Sequence, residues 1–208
     1  VILGGDHSIA AGSIAAVSKR HSGNIGVIWI DANGDWNSEE STCTGNMHGM
    51  PFSAVCGYGP DCMVEFGQGA APVNVAHCVQ VGGRDIDDLE RQRMAQAGVT
   101  VFPINMIDKL GMGAVIEQAI QIAGEGTDGI HLSFDVDAIT PEAVPGTGVI
   151  VYNGLTPREA FLAAEAIAES RKLISMDMVE VNPFLDTANK SGILASELIQ
   201  SALGKSVY

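Results

Sequence analysis

The stretch Ile25-Gly26-Val27-Ile28-Trp29-Ile30-Asp31-Ala32-Asn33-Gly34-Asp35-Trp36-Asn37 decides the fold. A continuous apolar run breaks abruptly into acids and amides, as a strand buried on both faces does when it ends in a polar loop. Comparable runs rich in β-branched residues recur at residues 78–81, 99–103, 130–134 and 173–181. Between them lie segments with helical spacing, at residues 9–19, 89–97, 114–123, 157–169 and 193–203. Ser8 and the pair Thr156-Pro157 read as helix starts. Strands alternating with helices predict an α/β domain: three layers, α/β/α, around a mainly parallel central sheet. The chain opens on Val1-Ile2-Leu3-Gly4-Gly5, as if a strand were entered in its middle. Residues 1–208 are therefore read as a single domain lacking an N-terminal segment, with an apolar sheet edge left open.

Composition narrows the function. Of 208 residues, 46% are hydrophobic and 17% charged, which describes a globular core and excludes a disordered chain. Lys and Arg total 11 against 25 Asp and Glu, a formal charge of −14, so a nucleic-acid partner is excluded by repulsion. The surplus carboxylates suit a solvated surface, hard cations or a cationic substrate equally well. No apolar run approaches the roughly 18 residues of a membrane span. Cys43, Cys56, Cys62 and Cys78 form no Cys-x-x-Cys pair, which fits reduced thiols and a cytoplasmic location.

In an open parallel sheet, ligands collect beyond the carboxyl ends of the strands. Asp31, Asn33 and Asp35 follow one apolar run at alternate positions, a spacing expected to send all three to one side. Asp135 and Asp137 follow another, and His7 sits in Gly4-Gly5-Asp6-His7-Ser8. Taken singly, each is better read as a turn cap, a loop start or a satisfied core histidine. Taken together, carboxylates gathered at the ends of neighbouring strands repel unless a cation sits among them. Oxygen-rich ligation with one imidazole suits Mn²⁺ better than Zn²⁺. Carboxylates that bridge allow two ions about 3.5–4 Å apart.

These residues carry a resemblance. Gly4 to Ser8, Asp31 to Asn37, Gly45-Asn46-Met47-His48-Gly49-Met50-Pro51, Ser133 to Asp137 and Val179-Glu180-Val181-Asn182-Pro183 match the ureohydrolase family in its own order. That family holds arginases, agmatinases and relatives, and the bacterial arginases are the branch this chain resembles most. The resemblance implies a homo-oligomeric dimanganese hydrolase that splits a guanidinium group and releases urea. It assigns one ion to His7, Asp31, Asp35 and Asp135, and the other to Asp31, Asp135, Asp137 and an imidazole. Here the family's Asp-Ala-His-x-Asp reads Asp31-Ala32-Asn33-Gly34-Asp35, so that imidazole has become an amide. An amide is the poorer donor, and a weakened second site is expected.

The resemblance also assigns roles around the metals. His48 matches the proton-shuttling histidine, Asp137 neighbours the reacting centre, and Glu180 binds the guanidinium fork. Glu180 reads as a lone carboxylate inside an apolar strand, costly to bury without a partner. Asn37, Thr44 and Asn46 match positions that hold an α-carboxylate. Arg84, Asp85, Asp87 and Glu90 match the pattern at the α-amino group, which favours L-arginine over agmatine as the small cationic substrate. Thr140, Val149 and Ile150 depart from the family at the rim. Cys43 reads as an incidental packed thiol and His131 as a core residue. The alternatives are an agmatinase or another guanidino-acid hydrolase, and a catalytically impaired homologue with a binding role.

Overall fold

The computed structural model describes residues 1–65 and 69–205. Strands β1 (Ile2–Leu3), β2 (Gly26–Ile30), β3 (Cys78–Val81), β4 (Thr100–Phe102), β5 (Ile130–Asp135) and β6 (Leu173–Val179) form one sheet, ordered β1-β6-β5-β2-β3-β4. Every pairing is parallel. From β2 the chain winds outward through β3 to β4. It then returns to β2's other side for β5 and continues to β6. The reversal falls between β2 and β5, where an open α/β sheet forms its ligand crevice.

Alternation along the strands builds the layers. Ile28 and Ile30 of β2 join Leu132 and Phe134 of β5 in one core, packed under helices α5 (Ile104–Leu110), α6 (Met112–Gly124), α7 (Pro157–Ser170) and α8 (Lys190–Ala202). Val27 and Trp29 face the other way, into a core with α1 (Ala10–Arg20), α2 (Pro51–Val55) and α4 (Asp88–Ala97). The short α3 (Asp61–Val64) supplies Met63 to a small third cluster beside Ala54. Gly26 marks how closely β2 and α6 approach, since a Cβ there would lie 1.9 Å from the Ala123 carbonyl oxygen.

The strands stand where the apolar runs put them, each bound within two residues. Two helix starts differ in outcome. Thr156 and Glu159 form a reciprocal capping box with Pro157 in the first turn of α7. Ser8 caps nothing. It lies inside a 3-10 turn (His7–Ile9) whose cap is Asp6, accepting from the Ser8 amide. Helices α2, α3 and α5, four to seven residues long, were not legible as periodic segments. At the β1 edge, Val1, Ile2 and Leu3 are exposed. Among the described residues no helix is long and apolar enough to cross a membrane.

Candidate metal centre and active-site cleft

The site stands at the switch point. Ile30 and Phe134 are in register on β2 and β5, so Asp31 and Asp135 leave the sheet side by side. His7 arrives from the end of β1, and Glu180 from the end of β6, β1's neighbour in the sheet.

His7 Nδ1 lies 3.1 Å from a carboxylate oxygen of each of Asp31, Asp35 and Asp135. None of these contacts has hydrogen-bond geometry, and among the described residues this buried nitrogen has no hydrogen-bond partner. A nitrogen lone pair and three carboxylate oxygens converging without bonding to one another is the arrangement of ligands around a cation. The donor set, one imidazole and three hard oxygens, fits Mn²⁺.

The imidazole is fixed from behind. Its Nε2 meets the Ser133 hydroxyl at 2.8 Å, and Ser133 donates to Asp177 at 2.6 Å. Asp177, fully buried on β6, also meets His131 Nε2 and accepts from Ser13. The ring stacks on Trp29, centroids 4.2 Å apart, and Trp29 stacks on Phe52 in turn. Outer partners of this kind hold a ligating imidazole in one tautomer and one orientation. His131 is thus a core residue, as read, but one tied into the support of the site.

Asp31 accepts from Trp29 Nε1 and from the Asn33 amide. Asp135 accepts from the Asp137 amide, and Asp137 from the Ala32 amide. Crowding raises Asp35, Asp135 and Asp137. Burial and the charge of Asp31 push Asp135 up to about 7 and Asp35 well above the carboxylate range. Burial and Asp135 do the same to Asp137. A cation among them reverses that effect.

Alternation does not gather the loop's side chains. Asp35 reaches His7 through a left-handed kink, φ 48°, while Asn33 turns aside and donates to the Asp85 carbonyl at 3.1 Å. The strand ends before the alternation could operate. Gln80 then fixes the loop's path by donating to the carbonyls of Asp31 and Asn33.

Glu180 also departs from its reading. It is not inside β6 but one residue past it, at φ 61°, with its amide bonded to the Gly5 carbonyl. A carboxylate there is aimed off the sheet rather than buried within it. It accepts from the His7 amide at 2.7 Å and lies 3.7 Å from His48 Nδ1. Glu180 raises the His48 pKa against the opposing effect of partial burial.

These groups open into a cleft of about 310 Å³. Asn33, Asn37, Thr44, Asn46, Asp85, Asp87 and Glu90 all line it, so the structure brings the expected substrate positions together with the expected metal ligands His7, Asp35, Asp135 and Asp137. Two of the acids' neighbours are committed elsewhere. Arg84 spends its guanidinium on the carbonyls of Asp137, Ala138, Val151 and Tyr152. Glu90 is buried, accepting from the amides of Trp36 and Asp87, and burial pushes it up to about 7. Cys43 is exposed on the cleft wall rather than packed, and a hydrogen bond to Asp87 raises its thiol. Val149 adds an apolar patch to the same wall.

A family model described as the arginase family matches residues 1–204. An arginase of Bacillus caldovelox is 42% identical over 205 residues, spanning 99% of this chain and 68% of its own length. An arginase of Staphylococcus aureus is 43% identical over 209 residues, spanning 100% of this chain and 68% of its own. The crystal structure of arginase from Bacillus cereus superposes with a TM-score of 0.95 at 42% identity, covering 99% of this chain and 71% of that one.

Proposed function

The chain belongs to the arginase family of amidino-group hydrolases, and on that premise we propose that it hydrolyses L-arginine to L-ornithine and urea with Mn²⁺. The observation that carries this reading is the convergence of His7 Nδ1 with three carboxylate oxygens at 3.1 Å, in one cleft with Glu180 and His48.

His7, Asp31, Asp35 and Asp135 would hold one ion. Asp31, Asp135 and Asp137 would hold a second, weaker one, because Asn33 supplies no imidazole and its amide is turned to Asp85. Divalent ions in such a site acidify a water so that it attacks near neutral pH. Glu180 receives the planar guanidinium as a fork, which orients its carbon toward the carboxylate cluster. Asp137 accepts a hydrogen bond from the attacking water and keeps its lone pair on that carbon. As water adds and the bond to the alkyl nitrogen breaks, His48 delivers a proton to that nitrogen, and urea and the amine separate. At the cleft's other end Asn37, Thr44 and Asn46 hold the α-carboxylate. Asp85 and Asp87 take the α-amino group, with Glu90 holding their loop from behind.

Free thiols at Cys43, Cys56, Cys62 and Cys78 suit the cytoplasm. Assembly into homo-oligomers belongs to the same proposal, on family resemblance alone, and light scattering reads it directly.

A second reading rests on the diverted Asn33 amide: a homologue that binds guanidino compounds without turning them over. Urea release from L-arginine and from agmatine, with added Mn²⁺, separates the two. Faster release from L-arginine is expected. No release from either, with activity appearing in Asn33→His, establishes the second reading instead.

A further inference from the structure

Two of the chain's four thiols meet in the core that β2 shares with α1, α2 and α4. Cys56 Sγ and Cys78 Sγ are 3.6 Å apart, both buried and both free. We propose that this pair is a redox modification site, which a peroxide oxidises to a disulfide that fastens α2 to β3.

The chain has already brought the two sulfurs together. The Val73 amide donates to the Val55 carbonyl at 2.9 Å, which ties the segment leading into β3 to the end of α2. Cys56 is the residue that closes α2, and Cys78 is the first of β3, after a 3-10 turn (Val75–His77). Side chains at element ends can turn without breaking a helix or a strand ladder. Closing 3.6 Å to the roughly 2.0 Å of an S–S bond moves each sulfur by about 0.8 Å.

A packed pair of thiols is ordinary in a core, and what sets this pair apart is a way in. Cys56 lines a surface cavity of about 470 Å³ beside Tyr58, Val73 and Ala97. Cys78 stands behind it and gives its own S–H to the Asn74 carbonyl, which leaves its sulfur to accept from Cys56. The Cys56 thiolate attacks a peroxide oxygen, the O–O bond breaks, and a sulfenic acid forms as hydroxide leaves. Cys78 then attacks the Cys56 sulfur. The S–O bond breaks, and the hydroxyl departs with the Cys78 proton as water. The two thiols have lost two electrons and two protons, and one peroxide has become two waters. Burial and the Cys78 thiol hold the Cys56 thiol well above its ordinary value, so the reaction is slow at neutral pH. The bond fastens the helix whose Phe52 stacks on Trp29, the ring on which His7 rests.

The test uses the full chain and a Cys43→Ser/Cys62→Ser variant in which the pair are the only thiols. In the variant, hydrogen peroxide is expected to remove both thiols together and to leave a single chain lighter by two hydrogens. Dithiothreitol should return both. Peptide mapping of the oxidised full chain should find Cys56 joined to Cys78. The rate should rise about tenfold per pH unit between pH 7 and 9, as the thiolate becomes available. Closing residues 56–78 into a loop should raise Tm by roughly 5–10 °C. With Cys78→Ala added, Cys56 is expected to stop at the sulfenic acid, trapped as its dimedone adduct. With Cys56→Ala added instead, Cys78 should react at least about tenfold more slowly. Thiols that persist, sulfurs that each gain oxygen without joining, or a bond from either residue to Cys43 or Cys62 overturn the site. Equal reactivity of Cys78 in the Cys56→Ala chain overturns the route through the cavity, and an unchanged or lower Tm overturns the fastening of α2. None of these readouts depends on urea release, so failure of the function proposed above leaves the site standing.

Discussion

The side-chain amide of Asn33 donates to the backbone carbonyl of Asp85 across 3.1 Å, away from the carboxylates that its neighbours Asp31 and Asp35 send to His7. An imidazole at this position carries a nitrogen lone pair that the amide lacks, a stronger donor to a divalent ion. In Asn33→His, the Mn²⁺ concentration for half-maximal urea release is expected to fall at least about tenfold, a gain of roughly 1.4 kcal/mol in metal binding. An unchanged Mn²⁺ requirement would mean that Asn33 already ligates through its oxygen.

His48 titrates above its ordinary value of 6.5 because Glu180 stabilises its protonated form. The proton it delivers is present below that raised pKa and lost as pH rises through it. The rate of urea release is expected to bend downward on the alkaline side at an apparent pKa above 6.5. His48→Asn should lack this limb and turn over about 10²–10⁴-fold more slowly. A pH–rate profile of both proteins decides it, and an identical limb in the variant would place the proton donor elsewhere.

Asp177 links the fold's stability to pH. Burial alone would raise its carboxyl, but His131 and Ser13 outweigh that and hold it at about 2. Its folded pKa lies below the unfolded value, so its contribution is complete above about pH 4 and lost as pH falls toward 2. The shift corresponds to about 2 kcal/mol. Urea denaturation across pH 2–7 should show this loss in the native chain and a smaller one in Asp177→Asn. That variant should also be less stable at neutral pH by about 3 kcal/mol, because a neutral amide has one acceptor oxygen for His131, Ser13 and Ser133, which share the two of the carboxylate.

Val149 faces the cleft shared by Glu180, and an added Cβ at the preceding Gly148 would lie 3.7 Å from the Glu180 carboxylate. A hydroxyl at 149 can join Glu180 in binding the guanidinium, worth about 1 kcal/mol as a net hydrogen bond. Val149→Thr is expected to lower KM for L-arginine roughly fivefold with kcat little changed. Steady-state kinetics at saturating Mn²⁺ measures it.

The layered sheet was legible because each strand reads as a mostly apolar run: Cys78–Val81, with Gln80 its one polar residue, appears with the bounds that run defines. Short helices escaped because four to seven residues, as in α2, α3 and α5, are too few for a period to register. The candidate metal ligands could be named from motifs, yet how they converge could not be. The left-handed turns at Asp35 and Glu180 aim those side chains, and backbone kinks at non-glycine residues leave no compositional mark. Asp177 carried a signal that went unread, a lone acid inside an apolar strand. The same reasoning applied to Glu180 would have found it. Arg84 was grouped with the acids that face the cleft, and only the carbonyls around it show that its charge is spent on the loop.

The central claim is an asymmetric centre, with a strong site built on His7 and a weaker one short of an imidazole. Metal content after equilibration with limiting Mn²⁺ and removal of free ion tests it most directly. One tightly held Mn²⁺ per chain, rising to two in Asn33→His, is the predicted result. Two equally tight ions in the native chain would contradict it.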